Sequence, residues 1–161
     1  MIRSTRYHAA RQLIGAAPKP LYHGSRERLD IGTVLRPREG GYMSLPDEDI
    51  ASVEDILEKH RPEGKIPRHE SVFMLDDPGR IEKAGGRGDH VYVVEPIGAV
   101  EASDLGWYAE LSVYWIDMPE DERRGFAEGY WSGDPFPGRK KNLYEYRTRA
   151  AEVVGNIESP T

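Results

Sequence analysis

The sequence predicts an α+β domain, and three observations carry that expectation. Short runs rich in β-branched and aromatic residues, such as Ser71-Val72-Phe73-Met74-Leu75 and His90-Val91-Tyr92-Val93-Val94-Glu95, stop at aspartate, proline or glycine in the manner of strands. Between them lie segments with apolar residues at helical spacing, such as Ile50, Val53, Ile56 and Leu57. No internal repeat or low-complexity segment divides the 161 residues, so one domain over 1–161 is the economical reading.

Taken in order, residues 4–16 place Tyr7, Ala10, Leu13 and Ile14 on one helical face, with Gly15 and Pro18 ending the run. This predicts a helix in an N-terminal extension over 1–20. A strand at 21–23 follows, then a short one at 33–35. Ser44-Leu45-Pro46-Asp47 combines an N-cap, an early proline and an acidic third position, predicting a helix to about His60. Residues 61–70 hold Pro62, Gly64 and Pro67 and read as a flexible connection in which His60 and His69 are loop or surface groups. After the strand at 71–75, Asp76-Asp77-Pro78 suits the start of a short helix from Asp77 to Ala84, which Gly85-Gly86-Arg87-Gly88 ends. These glycines are not a phosphate loop, because the GxxxxGK[ST] pattern is missing.

The strand at 90–95 is halted by Pro96 and Gly98, with 99–102 continuing as a neighbouring strand. Asp104 then caps a helix through Leu105, Tyr108, Ser112 and Trp115, whose aromatics, together with Trp107 and Tyr114, fit a buried face. A further helix runs from Asp117-Met118-Pro119-Glu120 to Gly129. Tyr130-Trp131-Ser132-Gly133 opens a proline- and glycine-rich loop, followed by strands at 143–147 and 152–157 and a tail at 158–161.

Composition limits the function classes. Hydrophobic residues make up 38% and charged residues 31%, which suggests a modest core inside a heavily solvated shell. A formal charge of -6 argues against general attraction to nucleic acid, although Arg139-Lys140-Lys141 and Arg147-x-Arg149 allow a local basic patch. With no cysteine, disulfides and thiolate metal sites are excluded, and no histidine spacing suggests a metal site. No apolar run is long enough to cross a bilayer and the N-terminus lacks a secretory apolar core, so a soluble, cytoplasmic chain without membrane contact is expected.

The chemistry centres on Leu21-Tyr22-His23-Gly24-Ser25, followed by Leu29, Ile31-Gly32, Leu35 and Pro37. An apolar run ending in an aromatic, a histidine, a glycine and a hydroxyl residue makes a strand that stops at a turn, with polar side chains beside exposed backbone. This order resembles the opening of ADP-ribosyltransferases of the histidine-bearing branch. The resemblance implies a split antiparallel β-sheet with flanking helices, NAD as the donor substrate, and no metal. It implies that His23 binds the adenosine-side ribose, that the Gly24 backbone pairs with the nicotinamide amide, and that Ser25 orients the ribose or caps the turn. Tyr22 belongs to the same donor-binding motif, on its core side.

The family commonly carries its catalytic glutamate on a late strand, ahead of a turn into the last strand. Glu145-Tyr146-Arg147-Thr148, followed by Ala151-Glu152-Val153-Val154, resembles that arrangement, with Glu152 as the rival. A carboxylate beside the ribose would stabilise oxocarbenium-like charge as nicotinamide leaves, as carboxylates do in glycoside hydrolysis. The family's middle strand usually supplies a tyrosine to stack on nicotinamide. Here Phe73 offers the aromatic surface and Ser71 stands where the arginine-serine-glutamate branch has its serine, with Tyr42 and Tyr92 as further stacking candidates. Tyr130 and Trp131 either form a target-facing edge or anchor their loop on the core.

The implied activity is mono-ADP-ribosyl transfer from NAD to a macromolecular acceptor, a protein rather than a nucleic acid on grounds of charge, as in a toxin, an effector or a phage anti-CRISPR factor. Two alternatives stand beside it: a non-catalytic acidic binding protein on the same fold, and a transferase directed at an RNA 2′-phosphate, which would want a basic cleft around Arg139 to Arg149.

Overall fold

A computed structural model describes residues 19–38 and 48–157. The helix expected over 4–16, Tyr42, the capping residues 44–47 and the tail 158–161 lie outside these residues. The architecture is mixed α+β with antiparallel sheets. In chain order, β1 is Leu21–Ser25, β2 Val34–Leu35, α1 Glu48–Lys59, β3 Val72–Met74, β4 His90–Ile97 and β5 Glu101–Asp104. Then come α2 at Leu105–Tyr114, α3 at Glu120–Ser132, β6 at Tyr144–Thr148 and β7 at Ala150–Ile157.

The strands form two sheets, one of four in the order β1-β4-β7-β2 and one of three in the order β3-β6-β5. Among the described residues a single bridge joins them: Tyr22 N–H donates to the Leu75 carbonyl at 2.7 Å, and Leu75 N–H returns a bond to the Tyr22 carbonyl at 2.9 Å. This seam sets β1 against β3. Because side chains alternate along a strand and paired residues share a face, the register sorts the molecule into two sides. Leu21 pairs with Val94, and Met74 with Tyr146; all four belong to one apolar core with Val72, Tyr92, Ala151 and Val153. The reverse face of the three-stranded sheet carries Phe73, Ser103, Glu145 and Arg147. The helices meet that face with a second core of Val53, Leu57, Leu111, Met118, Ala127, Tyr130 and Trp131.

Several expectations from the sequence are corrected. Pro96 does not halt β4 but sits within it opposite Ala151. It lies beyond the end of β1, which reaches only Val94, so the stretch is paired on one side and a missing N–H is tolerated there. β5 does not neighbour β4. Gly98, at φ 88°, turns the chain out of the four-stranded sheet into the other one. Similarly, β6 and β7 are not a hairpin, since Arg149 carries the chain back between sheets. The helix expected at 77–84 is a single 3-10 turn at Pro78–Arg80, capped by the Asp77 carboxylate on Gly79 N–H at 3.0 Å. Residues 66–68 are buried, so the 61–70 segment is packed at its C-terminal end rather than a free connection. Tyr114 is exposed.

Tyr130 and Trp131 belong to α3, not to a loop. Helical propensity continues to Ser132, and Gly133 at φ 80° supplies the left-handed C-cap. Of the two readings for these aromatics, anchoring is what the structure places: Trp131 is 1% exposed, stacks edge-on against Tyr130, and donates its indole N–H to the Leu57 carbonyl at 2.8 Å. Among the described residues no helix is long and apolar enough to cross a membrane. Trp131→Ala removes the largest fully buried side chain and is expected to cost about 3–5 kcal/mol, read as a lower urea midpoint.

Candidate functional site

Of the residues singled out by the sequence, Tyr22 and His23 meet β3 at the seam, through Leu75 and Phe73, while Gly24 and Ser25 continue β1 away from it, Ser71 precedes β3 and Glu145 lies on β6. The His23 ring is held by the Phe73 carbonyl, with Nδ1 at 2.8 Å. A carbonyl only accepts, so Nδ1 carries the proton and Nε2 is left with a lone pair. Burial lowers the His23 pKa from 6.5, partly offset by the bond to Phe73. The neutral ring is therefore favoured in the folded state.

Gly24 is fixed by crowding. A Cβ there would collide with the Arg87 carbonyl and press on Ile81, so the glycine-rich segment after residue 84 packs directly against β1. The Gly24 backbone is covered from that side. Ser25 caps the turn, its hydroxyl accepting from Glu27 N–H at 3.1 Å. Ser71 is buried and donates to the Pro67 carbonyl at 2.7 Å, closing the 3-10 turn at Arg68–Glu70. Tyr92 lies in the core and accepts from Leu29 N–H at 2.7 Å through its hydroxyl. Glu152 points away from that core, since its neighbours Ala151 and Val153 face in.

Glu145 sits on β6 at 4% exposure. One of its oxygens accepts from Arg68 Nη1 and from the Tyr130 hydroxyl. Arg68 in turn donates through Nε to both oxygens of Glu54 on α1, at 2.9 and 3.0 Å. Its guanidinium lies 4.7 Å from the Phe73 ring centre and 4.8 Å from that of Tyr108 on α2. Arg147 completes the cluster with Nη1 on the Ser103 hydroxyl at 2.6 Å and on the Tyr130 hydroxyl at 3.0 Å. Its Nε and Nη2 are buried without a hydrogen-bond partner; the nearest carboxylate to Nη2 is that of Glu101, at 4.0 Å. Burial raises the Tyr130 pKa, keeping the phenol protonated and able to donate to Glu145.

Contacts link the two halves of the expected site through one residue. The Phe73 carbonyl holds His23, while the Phe73 ring covers the cation that holds Glu145. The side chains nevertheless leave the sheet on opposite faces. His23 shares a face with Leu21 and Tyr92, whereas Glu145 is on the reverse of Tyr146. Of the basic residues near the late strands, Arg147 is buried, which leaves Arg139, Lys140, Lys141 and Arg149 at the surface. Among the described residues no group of acidic residues and histidines is placed to hold a metal ion. Neither a family model nor a curated protein matches the chain.

Arg68 was not singled out by the sequence, and Tyr130 was singled out only as an edge or anchor aromatic, not as a partner of Glu145. Arg68 lies in a stretch with the composition of a loop, and only the polar residues facing inward from β5 and β6 could have indicated that a cation must join them.

Two outcomes follow. Arg68→Ala would leave Glu54 and Glu145 buried without their cation, at a cost of about 3–5 kcal/mol in chemical denaturation. His23 has a folded pKa below its unfolded one, so the unfolded chain binds the extra proton and stability falls as pH drops below 6.5. His23→Gln is expected to flatten that acid-side slope in denaturation midpoints measured from pH 7 downward.

Proposed function

We propose that this protein is a mono-ADP-ribosyltransferase that uses NAD as donor and a protein as acceptor. The observation that carries the reading is the state of His23: pinned by the Phe73 carbonyl at the seam of two antiparallel sheets, it keeps Nε2 available as an acceptor for a ribose hydroxyl. The Tyr22-His23-Gly24-Ser25 order and the division into sheets of four and three strands support the same reading. In this scheme His23 and Gly24 hold the donor and Phe73 supplies the aromatic surface. Glu145 stabilises positive charge on the ribose as the glycosidic bond to nicotinamide breaks, and the acceptor then attacks the ribose carbon. For that step Glu145 must exchange its bond from Arg68 for one from the ribose 2′-hydroxyl.

One specific observation favours a second reading, in which the same fold binds a partner without catalysis. Glu145 is buried, ion-paired and on the opposite face from His23, an arrangement suited to holding the helices on the sheet.

Incubation of the full chain with labelled NAD and a cell lysate separates the two. Label transferred to protein, abolished by Glu145→Gln and reduced by His23→Ala in variants with unchanged far-UV circular dichroism, supports the transferase. NAD binding by calorimetry without any transfer supports the second reading, and absence of binding removes the first.

A further inference from the structure

Six large apolar side chains are exposed among the described residues, and three of them fall within four consecutive positions: Val113 at 70%, Tyr114 at 56% and Ile116 at 69%. We infer that this ridge, at the end of α2 and in the turn that follows, is a docking surface for a protein segment whose apolar side chains are flanked by lysine or arginine. The proposal does not depend on the transferase reading.

The ridge is firmly built. Arg123 on α3 donates to the Trp115 carbonyl from Nε at 3.0 Å and from Nη2 at 2.6 Å, with its guanidinium beside the Trp115 ring. Asp117 N–H bonds the Tyr114 carbonyl at 3.2 Å, and Met118 is buried immediately after. Val113, Tyr114 and Ile116 are thus presented on a fixed turn, with the intervening Trp115 half-buried against the second core. Contiguous exposed apolar side chains rimmed by polar groups mark protein or membrane interaction sites.

Charge selects the occupant. From Leu105 to Glu122 the chain holds no lysine, arginine or histidine, but it does hold Glu110, Asp117, Glu120, Asp121 and Glu122. Glu110 lies one helical turn before Val113 and Tyr114 and so shares their side of α2. Basic groups do touch the region: Lys59 and His60 both bind Glu120, and Arg123 is committed to the Trp115 carbonyl and ring. Exposed Arg124 follows the acidic run on α3, while Glu110 and Asp117, which flank the ridge in sequence, are both acidic. A nucleic acid or an anionic bilayer would be repelled. A second copy meeting the ridge about a two-fold axis would set Glu110 and Asp117 near their own counterparts. A segment with basic residues around an apolar centre meets both features of the surface.

The test uses a synthetic amphipathic helix with leucine on one face and lysine on the other, titrated into the full chain. Binding by calorimetry is expected, with backbone amide shifts centred on 112–118. The double variant Tyr114→Ser, Ile116→Ser should weaken it about tenfold while leaving the urea midpoint unchanged. A glutamate-for-lysine version of the peptide should not bind. Undiminished affinity in the double variant would show attraction by charge alone and overturn the proposal. So would concentration-dependent dimerisation lost in that variant, or binding to vesicles of phosphatidylcholine and phosphatidylserine.

Discussion

Arg68 fastens the helical layer to the three-stranded sheet. Its guanidinium reaches Glu54 on α1, Tyr130 on α3 and Glu145 on β6, and it lies between the rings of Phe73 on β3 and Tyr108 on α2. A planar cation with donors on three sides can satisfy two carboxylates and a phenol at once, which a lysine could not do in the same geometry. One side chain at 6% exposure therefore touches all three helices and two strands of this sheet. Its 3-10 turn is itself held, because Ser71 closes it on Pro67 and the Ile66 N–H is tied to Glu101 at 2.5 Å.

Buried ion pairs of this kind contribute little net stability compared with an apolar core of the same volume, since desolvation offsets most of the attraction. Their effect is on specificity of arrangement. Glu54, Glu145 and Arg68 meet one another, and Arg147 reaches Ser103 and Tyr130, only when α1, α3, β5 and β6 are placed as they are here. Arg147 shows the cost: two of its nitrogens are buried without a hydrogen-bond partner, and its charge is balanced by Glu145 and Glu101 at 3.9 and 4.0 Å and by the Tyr130 and Trp131 rings. A catalytic role for Glu145 has to compete with this network. The carboxylate that would stabilise a ribosyl cation is already compensated by a cation of the protein.

Local pattern in the sequence made most strands and helices legible, because β-branched runs and helical spacing act over short distances. The stretch at 90–95 and the Asp104 cap are examples, with Asp104 accepting from Gly106 N–H at 2.8 Å. What the pattern could not reveal was which strands pair. Residues 97–101 and 148–150 look like turns within one sheet, yet both carry the chain between sheets, a choice set by the long-range bridge of Tyr22 with Leu75 and by the two separate cores. Within the site, the order of His23, Phe73 and Glu145 along the chain was legible. Their facing was not. Alternation fixes a face only relative to a partner strand, and the partners of β6 are β3 and β5 rather than β7.

The internal network also shapes the surface. Arg68 and Arg147 cancel Glu54 and Glu145 inside the fold, so the formal charge of -6 is carried by groups outside this network, the buried Asp104 among them. Tyr108 and Val113 belong to the same helix, one against Arg68 and the other facing solvent. The side chain that organises the interior thus also fixes the helix that presents the acidic, apolar ridge, and a partner bound there would press on the helix that the Arg68 network holds to the sheet.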